Sequence, residues 1–421
     1  MTPMPTNQTS KTPRRLYLDN AATSFPKPPS VHEQMAHYAT RLGASPGRGS
    51  YKETLEGGRI IANCRRDIAS LFGSSHPEQI IFTLNASDAL NLAINGIAHH
   101  QRAARAIAGS DAPVHIIATS MDHNSVLRPL NALTADPVGA KIEWACINAD
   151  PITGLINPAQ IRDAIRPETA LVITTHGSNV SGTLQPIAEI GAICKQAGVP
   201  MLVDAAQTAG RIPIDTESAN IDLLAFPGHK HLMGPLGTGG LLIRKGLEAQ
   251  IDPARVGGTG TRSELDIHPG TMPERYEPGS HNTLGIAGLA AGLNWINEKG
   301  IDALWAHERT LMQRLLDGLK NATRFQGLSL IGPETITNRI GVFSFTHESL
   351  HPADLAAILE TEFGILSRAG IHCAPRAHTT LGTIDTGGST RISLGPFNTT
   401  EDIDALLAAL SAICADSSAP A

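Results

Sequence analysis

Between residues 60 and 245, short apolar runs alternate with longer stretches of helical spacing, and no other feature limits the fold as tightly. Ile60 to Phe72 carries apolar residues at helical spacing, and Gln79 to Thr83 is a short β-branched run. Ala86 to Ala98 is helical again, with Asn85 or Ser87 as its cap. The segments 114–119, 141–147, 171–175, 200–204, 222–227 and 240–244 read as strands, and 187–196 as a helix. Uniformly apolar strands have no face turned to water, so they are covered on both sides. Separated by helices of about ten to fifteen residues, such strands predict βαβ units and a mostly parallel sheet.

The pattern changes after about residue 280. Segments 286–297 and 304–319 read as long helices, and 338–346 alternates like a half-exposed strand. A helix over 352–363, a short strand over 391–394 and a final amphipathic helix over 401–414 follow. The chain has 421 residues, and domains of roughly 150 residues put two or three in that length. We read 15–285 as a large domain whose first segment could pack on the other. Residues 286–421 form a small C-terminal α+β domain, and the Thr/Pro/Lys/Arg-rich residues 1–14 a disordered tail without a secretory signal.

Composition removes several function classes. Apolar residues at 41 % and charged residues at 17 % fit a chain with a core. With 33 basic and 39 acidic side chains, the net charge of −6 gives no reason to expect a nucleic acid or an anionic membrane as partner. No apolar run approaches the length of a transmembrane helix. The cysteines, at 64, 146, 194, 373 and 414, are odd in number and form no C-x-x-C. That pattern disfavours disulfides and a zinc ribbon and points to a reducing compartment, hence the cytoplasm. The 17 histidines include pairs such as His99-His100 and His229/His231, but an isolated histidine is usually structural or exposed, so no metal centre is expected.

Ligands of parallel α/β sheets bind outside the carboxyl ends of the strands. Four predicted strand ends carry polar groups: His123 and Asn124, His176 and Asn179, Asp204 and Gln207, His229 and Lys230. Asp204 ends an apolar strand, and a buried carboxylate needs a cation. A structural Arg or Lys, or a protonated heterocycle such as a pyridinium, would serve, and Gln207 could bond a ring substituent. Lys230 follows a strand inside a Gly-rich loop, which makes it a Schiff-base candidate as well as a solvated lysine. The loop lacks the P-loop pattern, and no G-x-G-x-x-G occurs. Cys373 could be a buried inert thiol. Arg368 and His372 nearby, actual or potential cations, with Gly and Pro flanking the loop, are surroundings that depress a thiol pKa and leave it accessible.

Asp204-Ala-Ala-Gln207, followed by Gly228-His-Lys230 and Gly234-Pro, resembles the cofactor signature of the class V, fold-type I pyridoxal-phosphate enzymes. Leu18-Asp-Asn-Ala-Ala-Thr23 is similar to that family's opening, and Thr83 to Asn91 to its phosphate-binding turn. Asp122-His123-Asn and Ser178-Asn179-Val-Ser-Gly182 resemble its ring-binding strand ends, so the likeness covers roughly residues 15 to 415. The segments 368–375 and 390–399 place the chain nearest the cysteine desulfurases, selenocysteine lyases included, with a short Cys-bearing loop.

The resemblance implies the fold-type I architecture, pyridoxal 5′-phosphate as cofactor, and conversion of L-cysteine to L-alanine with sulfur left on an enzyme cysteine. It implies Lys230 as the Schiff-base lysine, Asp204 at the pyridinium nitrogen, Gln207 and Asn179 at the phenolic oxygen, and His123 stacked on the ring and handling protons. Ala86, Ser87 and His229 would hold the phosphate, reached also by Ser280 of a neighbouring subunit in a homodimer. Arg391, with Asn179 and Ala22, would bind the substrate, and Cys373 would accept the sulfur before passing it to a protein or small-thiol acceptor. Three positions depart from the family pattern: Pro227 where a serine is common, Asn124 where a second histidine is common, and the segment Gly257 to Ser263. The alternatives are a selenocysteine lyase, another C–S lyase or an aminotransferase, and, in a different class, a fold relative without catalysis.

Overall fold

The structure is a computed structural model that describes residues 15–47, 49–138 and 141–417. The reading of 1–14 as a tail lies outside the described residues. Strand β1 (Leu16–Tyr17) precedes helices α1 (Pro29–His37) and α2 (Lys52–Leu71). There follow β2 (Ile80–Thr83), α3 (Ala86–Ile107), β3 (Val114–Thr119), α4 (Asn124–Ala135), β4 (Ile142–Ile147), α5 (Pro158–Ala164) and β5 (Thr169–Thr175). Helix α6 (Ile187–Ala197), β6 (Met201–Asp204), β7 (Leu223–Pro227) and β8 (Gly239–Ile243) complete the first half. The second half comprises α7 (Thr283–Lys299), α8 (Ile301–Leu319), β9 (Leu328–Ile331), β10 (Val342–His347), α9 (Pro352–Phe363), β11 (Ile365–Leu366), β12 (Arg368–Gly370), α10 (Pro375–Thr380), β13 (Ser389–Ser393) and α11 (Thr400–Ser417).

The larger sheet has the order β2-β8-β7-β6-β5-β3-β4. Strands β4, β3, β5, β6 and β7 run parallel, and every residue of β3, β5, β6 and β7 is buried. That is the outcome the apolar runs predict. Strand β8 is antiparallel to both β7 and β2. Its cause is the short connection, residues 228–238, which cannot hold a crossover helix and so returns as a hairpin. This Gly-rich hairpin loop carries His229 and Lys230. A Cβ on Gly228 would lie 2.2 Å from Thr238 Oγ1, so only glycine lets the two ends of the loop meet. Asn85, not Ser87, caps α3: its Oδ1 accepts from Asp88 N at 2.9 Å.

A second, antiparallel sheet, β12-β13-β10-β9, packs with α8, α9 and α11 around Leu315, Phe343, Phe345, Ile392 and Leu406. Strand β1 pairs with β11 in a separate two-stranded sheet, and its Leu16 joins Ile365 in the same core. Helix α7, which the sequence pattern groups with the C-terminal half, packs on α1 and α2, and its Ile286, Leu289, Leu293 and Ile296 join the core of the large sheet. Amphipathic spacing says that a helix has a buried face, not which core receives it.

The two layers are joined by a buried ion pair. Arg211 Nε lies 3.2 Å from Glu308 Oε2 on α8, and Arg211 Nη2 donates to Leu394 O at 2.9 Å. Glu308 Oε1 accepts from Gly341 N at 2.8 Å. Removing one member leaves the other charged and buried, so Glu308→Ala is expected to lower stability by about 3–5 kcal/mol. Urea unfolding checks this: the midpoint drops at unchanged slope, whereas an unmoved midpoint means the pair holds nothing together.

Candidate active site

The carboxyl ends of β3, β5, β6 and β7 and the start of α3 open onto one cavity. It is lined by Ala86, Ser87, His123, Asn179, Asp204, Gln207, His229 and Lys230, so eight predicted residues converge. A larger cleft of about 510 Å³ lies at the opposite end of the sheet, between Cys194, Asn220 and Arg244, and gathers none of them.

Asp204 is the last residue of β6 and is buried. Its Oδ1 accepts from Ala206 N at 2.9 Å. Burial pushes its pKa up, and the charge of Lys230 opposes that rise. Burial pulls Lys230 down to about 8; Asp204 pushes it back up, while Arg391, Arg211 and Arg368 add to the fall. A lysine so tuned has a substantial neutral fraction near physiological pH and can act as nucleophile or base.

The backbone of Lys230 is fixed from the N-terminal segment. Ser24 Oγ donates to Lys230 O at 2.6 Å, and Lys27 Nζ donates to His229 O at 2.6 Å. Gln207 Nε2 donates to Ala21 O at 3.0 Å, and its buried Oε1 has no partner among the described residues. Ser24 and Lys27 lie just beyond the motif at 18–23, and no sequence signal gives them this role.

His123 caps α4. Its Nδ1 accepts from Ser125 N at 3.0 Å, so the ring proton sits on Nε2. Burial, with the charge of Lys230 next, pulls its pKa to about 4, and the ring is neutral near pH 7. Ser125 Oγ lies 2.9 Å from that Nδ1 and 2.6 Å from Ser87 Oγ, which ties the α3 terminus to His123. Sequence reasoning missed Ser125; its signal was its place two residues after His123, at a strand-to-helix turn. Burial likewise pulls His229 to about 4, and its Nδ1 lies 3.1 Å from Thr23 Oγ1.

Arg391 lies on β13 at the rim, 1 % exposed. Its Nη2 donates to Asp19 Oδ1 at 2.7 Å and its Nη1 to Asn179 O at 3.2 Å, while its buried Nε has no partner among the described residues. Asp19, also missed, holds this guanidinium in place. Ala22 does not line the cavity, and its N–H donates to Asp19 O at 3.0 Å within a turn.

Cys373 is exposed, between β12 and α10. Its carbonyl accepts from Asn124 N at 2.8 Å, and the carbonyl of His372 accepts from Asn179 Nδ2 at 2.7 Å. The loop therefore docks against the strand ends that carry His123 and Asn179. The expectation that His372 contributes positive charge is corrected by the structure. Its ring is buried, its Nε2 lies 3.1 Å from Ser389 O, and burial, with Arg391 next, pushes its pKa down to about 2. It is neutral, so the positive field at the loop comes from Arg368 and Arg391.

Burial pushes the thiols of Cys64 and Cys146 up and that of Cys194 up to about 12, which keeps them protonated. Ser280 is exposed and lies outside the cavity, in a cleft with Phe82, Leu84 and His281. Glu277, three residues earlier, anchors that segment through a bidentate, buried pair with Arg65 at 2.9 and 2.8 Å. Among the described residues no three His, Cys, Asp or Glu side chains are grouped to hold a metal, and no helix is long and apolar enough to cross a membrane.

Comparison with known proteins bears on this arrangement. The family model for aminotransferase class-V matches residues 16–406. A probable cysteine desulfurase of Methanothermobacter thermautotrophicus is 32 % identical over 397 residues, covering 93 % of this chain and 92 % of the relative. A cysteine desulfurase of Yersinia pestis is 33 % identical over 402 residues, covering 94 % and 93 %. Among solved structures, the apo cysteine desulfurase of Thermococcus onnurineus NA1 superposes with a TM-score of 0.85 at 30 % identity, covering 96 % of this chain and 95 % of that one. The chain belongs to the aminotransferase class-V family and groups there with the cysteine desulfurases.

Proposed function

We propose that this chain is a pyridoxal-phosphate-dependent cysteine desulfurase that converts L-cysteine to L-alanine and holds the sulfur on Cys373. One observation carries the reading: a short loop presents an exposed cysteine beside the strand ends that bear Lys230, Asp204 and His123, with a buried arginine at the rim.

The residues fit the cofactor. Asp204 is a buried carboxylate in want of a cation, as a protonated pyridine nitrogen is. The N–H groups of Ala86 and Ser87 at the start of α3, with His229, make an anion cradle for a phosphate. Pro227 adds no hydroxyl there, which leaves more of that task to Ser87, His229 and a Ser280 supplied by the second subunit of a homodimer. Gln207 and Asn179 would bond the ring oxygen, and His123 would cover the ring face. When bound, the cofactor supplies an electron sink for charge developing at the substrate α-carbon.

The chain's own groups supply the rest. Arg391 orients the substrate carboxylate, assisted by Asn179. Lys230 Nζ, neutral in part near pH 8, takes the α-proton and returns one to the product. Cys373 Sγ attacks the substrate sulfur: a sulfur–sulfur bond forms as the substrate carbon–sulfur bond breaks. His123 Nε2, which carries the ring proton, would donate it to the departing carbon skeleton. An external thiol or acceptor protein then removes the sulfur, a step suited to the reducing cytoplasm.

Holoenzyme incubated with L-cysteine and a thiol tests this. Alanine and sulfide in equal amounts support it. Formation of 3-mercaptopyruvate and of the amino acid matching an added 2-oxo acid, without sulfide, indicates an aminotransferase, and turnover of selenocysteine alone indicates a lyase. A further expectation follows from Lys230. Uptake of pyridoxal phosphate by the cofactor-free chain rises with pH as the ammonium deprotonates, with its midpoint near about 8. The ordinary lysine value would place that midpoint near 10.5. Stopped-flow absorbance at several pH values distinguishes the two.

A further inference from the structure

His372 and Cys373 are consecutive non-glycine residues in the left-handed region, with φ of 50° and 58°. Side chains beyond glycine are strained in that region, so the pair persists only where its surroundings over-determine it. One side of the restraint is the pair of bonds from Asn124 N and Asn179 Nδ2 to the two carbonyls. The other side is a ring. The imidazole of His378, fully buried on α10, packs on that of His372 with centroids 5.6 Å apart and planes tilted by 42°. His378 Nδ1 lies 2.7 Å from Thr383 Oγ1, which sets the rotation of the ring. Helix α10 is itself tied to the large sheet, because the Arg376 guanidinium lies 4.7 Å from the centre of the Trp144 ring on β4.

We propose that His378 is a positioning residue for Cys373, acting through the ring of His372 to hold the strained loop in its docked form. The inference rests on the reading of Cys373 as the sulfur-accepting thiol. Burial pulls His378 to about 4 and His372 to about 2, so the pair contributes shape and not charge. A loop held from one side only keeps its sequence and its thiol and loses the alignment that sulfur transfer needs.

The test compares His378→Ala, His378→Phe and wild-type holoenzyme. His378→Ala is expected to lower kcat for alanine formation by roughly ten- to a hundredfold, since small misplacements cost that much. KM for L-cysteine stays within about twofold, because Arg391 is untouched. Amide exchange at Asn124, whose N–H is bonded to the Cys373 carbonyl, speeds up in the same variant. His378→Phe restores a ring against His372 and recovers most of the turnover. If His378→Ala does not fold, Thr383→Val frees the ring while keeping it, and the same shifts are expected in smaller degree. Unchanged kcat, unchanged exchange at Asn124, or a loss spread equally over kcat and KM overturns the proposal. The exchange readout is independent of the sulfur role: full activity of Cys373→Ser sinks that role and leaves the exchange result to be judged alone.

Discussion

Cys373→Ser is expected to lower alanine formation from L-cysteine by more than about a thousandfold, as loss of a nucleophile on which the step depends does. A hydroxyl does not replace a thiolate in attack on sulfur. The other cysteines do not substitute: burial raises Cys64, Cys146, Cys194 and Cys414 and holds them as thiols. Because the Cys373 side chain is exposed, the variant keeps its melting temperature and its cofactor content. That combination separates a chemical defect from a folding defect. Full activity toward L-cysteine in the variant would remove Cys373 from the reaction. Activity kept toward selenocysteine alone would mark a lyase.

Lys230→Ala carries the second large effect. It removes both the amine that captures the cofactor and the base at the α-carbon, so turnover is expected to fall by at least about a thousandfold. It also leaves Asp204, a buried carboxylate, without the cation that opposes its rise. Lys230→Arg keeps a positive charge and removes the nucleophile. It is expected to be as inactive as the alanine variant while holding Asp204 ionised. Absorbance of the purified proteins and reduction with borohydride read the covalent link. A borohydride-stable cofactor on another lysine in Lys230→Ala would overturn the assignment.

Much of the large sheet was legible because its strands are buried on both faces, and that leaves a mainly apolar run for each of β3, β5, β6 and β7. Strand direction leaves no such trace, and the reversal of β8 comes from the length of a loop. Helix α1 went unread because it starts within a Pro-rich stretch and buries little, Val31 among its few apolar contacts. The core that receives α7 is likewise invisible in its periodicity.

At the site, Asp204, Gln207, His229 and Lys230 were legible because one strand end and one hairpin loop fix them along the chain. Asp19 was not, since its partner Arg391 lies 372 positions away, and it is the bridge between Asp19 and Ser393 of β13 that brings them together. The charge on His372 was misread for a related reason. A histidine beside a cysteine is a cation only if it meets water or an anion, and this one meets Ser389, His378 and the field of Arg391.

Mass spectrometry of the Cys373 peptide after a single addition of L-cysteine, without an acceptor thiol, tests the central claim most directly. A gain of roughly 32 Da on that peptide, one sulfur atom, is expected in step with the alanine released. Alanine released in stoichiometric amount with the Cys373 peptide unmodified, or the added sulfur found on another cysteine, would contradict it.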